Sequence, residues 1–259
     1  MVNKPKVYEE FFYKVDNKTM DIEDLNAYIE KDYRNINKYR GQMFCPECKV
    51  AELTYISKTT NRCAHLKKIP SSNHYSNCTY KYEYIHQNLL IKYIENLNYN
   101  QVQDKLNAIM NMLFNSKVNK NIENKNNSKT NDDLANPNLA PDITKKQRDF
   151  KAIRRKKLQG WIDKSYESDL YLFYGEVKLS VEEKTSKNNT NFKFNILTLY
   201  TKNKFGEWKF RATIYRHNIK DKINEESIYQ IALIGRFKID KKYPKINLIN
   251  NNAIKFELI

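Results

Sequence analysis

No run in this 259-residue sequence approaches the roughly 20 consecutive apolar residues that a membrane-spanning helix needs, so no membrane partner is expected. The opening stretch, residues 1–18, has neither an apolar core nor a small-residue cleavage site. No secretory leader is therefore expected, and the protein reads as soluble and cytoplasmic. Cysteine is scarce and confined, with four residues at 45, 48, 63 and 78. A disulfide scaffold spreads its pairs through a small secreted domain. Clustering inside one short window of a longer chain points to metal instead. Acid is short as well, with 30 Asp and Glu against 46 Lys and Arg, a net charge of +16. Nothing in the sequence resembles a phosphate-binding Walker loop, a dinucleotide fingerprint or a Ser/His/Asp constellation, and His217 stands at a strand end without an obvious nucleophile.

What is present is enough for a folded protein. Hydrophobic residues make up 40% of the chain, which supports one large or two modest cores and excludes a fully disordered tail. Lys, Asn, Ile and Tyr all have AT-rich codons, and their abundance accounts for part of the positive charge. Its distribution is more informative. Residues 1–136 carry 20 basic and 16 acidic side chains, whereas residues 137–259 carry 26 and 14. The excess therefore sits in the C-terminal half, which marks that half as the polyanion-binding part.

Asp21-Ile-Glu-Asp predicts a helix running to about Asp32, with Asp21 as cap and Glu23 and Asp24 in the first turn. From Tyr80 onward, Tyr84, Leu89, Leu90, Tyr93, Ile94 and Leu97 form an apolar stripe at helical spacing. A second helix is predicted over about Gln101–Phe114. Residues 115–144 are Asn-rich and aperiodic and read as a linker, giving domains at 1–114 and 145–259. The segment 145–163 opens with eight basic residues and one acid up to Lys157, and is predicted as a basic helix. Beyond it five β runs are expected: Leu170–Val181, Phe192–Thr201, Trp208–Arg216, Ile228–Ile239 and Lys245–Leu258. A turn or short helix is expected between the third and fourth. Five strands with an excursion after the third is the layout of an OB-fold barrel, with Gly175 and Gly235 suited to its bends. The predicted fold class is thus α+β: an N-terminal zinc-binding module with helices, a linker, and a five-stranded OB-like β-barrel.

Cys45-Pro-Glu-Cys48 is a knuckle-like turn whose two thiolates can point at one ion. Zinc takes four such ligands, and Cys63, His65, His74 and Cys78 compete for the remaining two places. The stretch Phe44-Cys-Pro-Glu-Cys48, then Ala51-Glu-Leu-Thr-Tyr-Ile56, Arg62-Cys-Ala-His65, Cys78 and Glu83-Tyr-Ile-His86 resembles the N-terminal zinc finger of competence protein CoiA-like proteins. The resemblance covers about residues 10–95 and implies Cys45, Cys48, His65 and Cys78 as ligands of a structural Zn²⁺. Arg62 departs from it, standing where the family has its first His. Cys63 and His74 remain unassigned, and either is a candidate to replace His65. His86 is expected to cap or pack rather than to ligate.

CoiA-like proteins are expected to join such a finger to a restriction-type nuclease domain. That implies an alternative for the C-terminal half, in which Asp163 and Glu176 hold Mg²⁺ and Lys178 activates water, with Glu83 as a further carboxylate. Against it, Glu176-Val-Lys178 is followed by a polar loop and two alternating strands rather than by a helix and another strand. The preferred expectation is a nucleic-acid-binding barrel without catalysis, holding single-stranded DNA by a basic groove and stacking aromatics. In Trp208–Arg216, strict alternation predicts Trp208, Phe210, Ala212 and Ile214 in the core, and Lys209, Arg211, Thr213 and Tyr215 on the binding face. Lys193 on the preceding strand joins that face, and Lys151, Arg154 and Arg155 of the basic helix are expected along phosphates. The resemblance suggests a bacterial, phage or mobile-element setting in DNA uptake, replication, recombination or defence. A protein-interaction platform within a larger complex is the third expectation.

Overall fold

The computed structural model describes residues 8–31, 36–60, 63–114, 136–143, 149–160, 162, 164–167, 169–186, 191–203, 205–240 and 243–259. The chain divides into two compact units, residues 1–83 and 84–259.

In the first unit, β1 (Glu10–Tyr13) pairs antiparallel with β2 (Lys18–Asp21) and with the short β3 (Met43–Phe44). Helix α1 (Ile22–Lys31) starts directly after Asp21 with Glu23 and Asp24 in its first turn, as the sequence predicts. Strands β4 (Leu53–Ile56) and β5 (His65–Lys68) form a hairpin. The core is small and aromatic: Phe11, Tyr13 and Tyr39 pack with Leu25, Ile29, Leu53 and Leu66. Cys45 and Cys78 belong to that same core.

The second unit begins with α2 (Gln87–Glu95) and α3 (Tyr99–Phe114). His86 caps α2, its ring accepting from the Asn88 backbone N–H, so it acts as the predicted capping residue. Strands β6 (Leu139–Pro141), β7 (Phe150–Ala152) and β8 (Arg155–Lys157) lead into β9 (Leu170–Thr185), β10 (Lys193–Lys202), β11 (Trp208–Tyr215), β12 (Tyr229–Asp240), β13 (Tyr243–Leu248) and β14 (Ile254–Leu258).

Five of these segments close a barrel in the order β9–β10–β11–β13–β12–β9. All pairings around it are antiparallel except β11 with β13. The long β9 makes closure possible, pairing with β12 through its first half and with β10 through its second. Gly235 permits the tight contact of β12 with β13, since a Cβ there would lie 2.6 Å from the Asn247 carbonyl oxygen. The fifth predicted run is interrupted at 249–253, and its tail, β14, also pairs with β12. Residues 221–228 contain a turn and no helix.

Three expectations change here. The basic segment is not a helix. Residues 150–152 pair with 139–141, and residues 155–157 lie parallel to β9. Lys156 and Leu158 are buried there, an alternation of period two, and the Lys156 ammonium lies 4.6 Å from the Tyr166 ring. Part of the expected linker is structural, because Leu139 and Ala140 of β6 are buried. Residues 115–135 lie outside the described residues. Finally, α2 and α3, grouped by the sequence with the finger, share a core with the barrel: Leu90, Ile94, Leu106 and Ile109 pack with Leu172, Ala232 and Ile234.

That packing explains why β12 reads as the unbroken apolar run Ile231-Ala-Leu-Ile234. Ile231 and Leu233 face the barrel interior, while Ala232 and Ile234 lie under the helices. Strand β10 instead alternates, and both β10 and β11 keep a partly exposed outer face.

One buried cation gives this unit a pH signature. The Lys105 ammonium on α3 donates to the Pro137 and Leu139 carbonyls at 3.0 and 2.8 Å and sits 5.2 Å from the Tyr93 ring. Burial pushes its pKa down to about 8 from an ordinary 10.5. The unfolded chain therefore binds more protons between those values, so stability rises with pH across that window and the contribution is lost below it. Burial raises Tyr93 above its ordinary 10.0, which opposes the trend only at higher pH. Urea unfolding is expected to show a gain on the order of 2 kcal/mol between about pH 8 and 10 that Lys105→Met removes. An unchanged slope in that variant contradicts the assignment.

Candidate metal centre and nucleic-acid face

The Cys45–Cys48 turn is held by two backbone bonds: the Cys45 N–H donates to the Ala51 carbonyl at 2.7 Å, and the Lys49 N–H to the Cys45 carbonyl at 2.9 Å. Lys49 takes the left-handed conformation that reverses the chain, with φ of 56°. Across from this turn, the chain following β5 brings up His74 and Cys78. The ligand atoms of Cys45, Cys48, His74 and Cys78 all lie within 4.8 Å of one another. Cys45 Sγ and Cys78 Sγ are 3.7 Å apart, and His74 Nδ1 is 3.4 Å from both Cys48 Sγ and Cys78 Sγ. A tetrahedral zinc with Zn–S of about 2.3 Å and Zn–N of about 2.0–2.1 Å has S···S edges of about 3.8 Å and S···N edges of about 3.5 Å. The donor set therefore fits one tetrahedral ion.

The thiols are also electrostatically coupled, an arrangement that a divalent cation would relieve. Hydrogen bonding to the neighbouring Cys45 and Cys78 thiols holds Cys48 far below the ordinary thiol range. The same sharing with Cys48 pushes Cys45 up to about 12, and Cys78 is driven far upward by Cys45. One thiolate is readily formed and three are not, unless a divalent ion compensates them.

The surroundings orient the ligands. His74 Nε2 lies 3.0 Å from the Tyr8 hydroxyl. With Nδ1 turned to the sulfurs, the Nε2–H donates to Tyr8, the outer contact that fixes a ligating imidazole. The Tyr8 ring in turn stacks on Tyr80 at 4.5 Å. Glu47, between the first two cysteines, accepts from the Thr79 backbone N–H at 2.7 Å and from its hydroxyl, tying the knuckle to the residue after Cys78.

His65, the ligand implied by the CoiA-like resemblance, is not in the cluster. It ends the β4–β5 hairpin opposite Ile56, with Nδ1 3.1 Å from the Cys63 carbonyl oxygen. Cys63 is exposed and also stands apart from the cluster. The fourth group is His74, the alternative that the sequence left open.

On the barrel, Leu197, Leu199, Ala212 and Ile214 fill the interior, so Phe194, Thr198, Tyr200, Thr213 and Tyr215 face outward. Tyr215 is 40% exposed, as the sequence predicts for a stacking residue. Strict alternation fails two turns of the ladder earlier. Leu199 pairs with Ala212 but Tyr200 pairs with Phe210, leaving Arg211 as an extra residue in a β-bulge. The bulge turns Phe210 outward to 39% exposure, against the expectation that it is core. Arg211, expected on the binding face, is 8% exposed, and its Nε donates to the buried Thr201 hydroxyl. Trp208 follows Phe210 onto the outer face, where the Lys178 and Lys202 ammoniums lie 5.7 and 5.3 Å from its ring.

The other predicted phosphate contacts are engaged locally. Lys151 is paired with Asp149, and Arg154 with Asp169 while lying 5.0 Å from the Tyr84 ring. Arg155 is half-buried on β8. Lys193 and Lys209 are exposed and paired with Glu183 and Glu207, but against expectation they fall on the face opposite Phe194 and Tyr200: Lys193 alternates with Leu197, and the bulge sets Lys209 opposite the inward Thr201. Of the alternative catalytic set, Asp163 lies outside the described residues. Glu176 is exposed opposite Gln230, Lys178 is opposite Tyr200, and among the described residues no helix separates β9 from β10. Among the described residues, the Cys/His cluster is the sole group of three or more potential metal ligands within reach of one another. Among the described residues, no helix is long and apolar enough to cross a membrane. Comparison with protein-family models, curated proteins and solved structures finds no match for this chain.

Proposed function

We propose that this protein binds single-stranded DNA on the outer β10–β11 face of an OB-type barrel, and that its N-terminal unit is held by a structural zinc. The observation that carries the reading is that face: Phe194, Tyr200, Phe210 and Tyr215 turn outward from the second and third barrel strands, with Lys178 and Lys202 among them. OB barrels use these strands for oligonucleotides, through stacking of bases on aromatics and lysine contacts to phosphate. The strand order and the parallel β11–β13 pair support the OB assignment. The helices packed on β12 leave the proposed face clear of the apolar packing they make. Cys45, Cys48, His74 and Cys78 fill four zinc positions, which leaves none for a reacting water and suits a structural role. The knuckle, hairpin and following cysteine keep the CoiA-like finger in view, with His74 in place of the histidine that likeness implies. A setting in bacterial, phage or mobile-element DNA metabolism follows from the same likeness.

The test is a gel titration of labelled single- and double-stranded DNA across salt, with and without Mg²⁺. The expected result is a shift of intact single strands that weakens steeply between about 50 and 200 mM salt, with duplex binding weaker. Absence of a shift contradicts the proposal. Mg²⁺-dependent shortening that Glu176→Ala abolishes replaces it with a nuclease.

A further inference from the structure

The outer face is not uniform along the strands. At one end Tyr200 and Phe210 meet edge to face at 6.3 Å, next to Trp208 with its two lysines. Lys178 and Lys202 have no carboxylate partner among the described residues. At the other end Phe194 and Tyr215 pack at 5.2 Å, and His217 closes on Tyr215 at 4.4 Å. The lysine here is already neutralised: Lys184, opposite Phe194, pairs with Glu182, while Lys193 alternates to the other face of β10 and pairs with Glu183. Between the ends lies the Thr198–Thr213 pair, which offers no ring.

Resting on the proposed function, we propose that this face is a two-station site for single-stranded DNA. The Trp208 end is a charged anchor that takes phosphates through Lys178 and Lys202, and the Tyr215 end is a stacking station that takes bases without added charge. Phe194 and Tyr200 are six residues apart on β10, about 20 Å at a strand rise of roughly 3.3 Å per residue. A stacked strand advances about 3.4 Å per nucleotide, so both stations are engaged by about six stacked nucleotides, or by fewer if the strand is drawn out. A di- or trinucleotide reaches the anchor alone. The two ends also separate the two contributions to affinity. Salt sensitivity belongs to the anchor, whereas the Tyr215 station adds a nearly salt-independent gain of about 5- to 150-fold, the range that stacking one base supplies.

The experiment is fluorescence anisotropy of the full chain with labelled oligothymidylates of 3 to 12 nucleotides at several salt concentrations. Wild type is expected to gain affinity steeply as length passes about six nucleotides and only gradually thereafter. Tyr215→Ala is expected to remove that step, keeping trimer affinity and the salt slope of wild type; retained trimer binding also shows that the variant is folded. Lys178→Ala and Lys202→Ala are each expected to lower the slope of log affinity against log salt by about 0.7 at every length. A length series without a step overturns the two-station site while leaving DNA binding in place. So does a Tyr215→Ala loss as large for the trimer as for the octamer. No binding at any length removes both this inference and the proposed function.

Discussion

His74→Ala is expected to weaken metal retention at least about 100-fold and to unfold the N-terminal unit, whereas His65→Ala leaves both unchanged. Three thiolates without the imidazole lose the ligand whose Nδ1 sits 3.4 Å from two of the sulfurs, and with it the link to Tyr8. On the proposed reading the unit depends on the ion, because its core is small and includes two members of the cluster, Cys45 and Cys78. Binding of a structural zinc is worth about 10–16 kcal/mol in small finger peptides, an energy that a core of this size does not replace. Cys78→Ser is expected to abolish metal binding outright. Metal content by mass spectrometry after chelator challenge, read beside thermal melting, checks both parts. The barrel unit should retain its own transition. Metal lost in His65→Ala and kept in His74→Ala contradicts the assigned ligand set.

Asp221→Asn is expected to destabilise the barrel by about 3–5 kcal/mol, the cost of leaving a buried cation without its counter-charge. Arg216 directly follows β11, its Nε and Nη2 donating to the two Asp221 carboxylate oxygens at 2.8 and 2.9 Å. Both side chains are more than nine-tenths buried. Nη1 donates to the Asn251 carbonyl, so one guanidinium joins the end of β11, the connection after it and the bend between β13 and β14. For a unit of this size the loss corresponds to a melting shift of roughly 10 °C. The double variant Arg216→Met/Asp221→Leu is expected to cost less than Asp221→Asn alone, because it removes both charges together. Equal or greater loss in the double variant contradicts the claim that the unpaired charge carries the cost.

The barrel strands were legible because two of them alternate in sequence and a third, β12, carries the apolar run Ile231-Ala-Leu-Ile234. The bulge was not. One extra residue at Arg211 reverses the faces of everything before it on β11, and nothing in Trp208-Lys-Phe-Arg-Ala marks where the count slips. The basic segment misled for a related reason. Charge density from Lys145 to Lys157 suggested a basic helix along phosphates, although burial of Lys156 and Leu158 follows a strand period. A lysine whose ammonium lies over Tyr166 is apolar along its stem and counts as buried despite its charge. At the Cys/His cluster, the Cys45–Cys48 spacing marks half of the four members. The choice between His65 and His74 depends on how the chain after β5 returns to Tyr8, which spacing does not encode. The one local signal for His74 is its position four residues before Cys78, a separation within the usual range for paired zinc ligands.

The central claim is that nucleic acid lies on the outer face of β10 and β11. Ultraviolet crosslinking of the full-length protein to oligothymidylate, followed by peptide mapping, tests it most directly. The account predicts crosslinks at Phe194, Tyr200, Trp208, Phe210 or Tyr215. Crosslinks confined to other segments, or none at a concentration where single-stranded DNA is bound, contradict it.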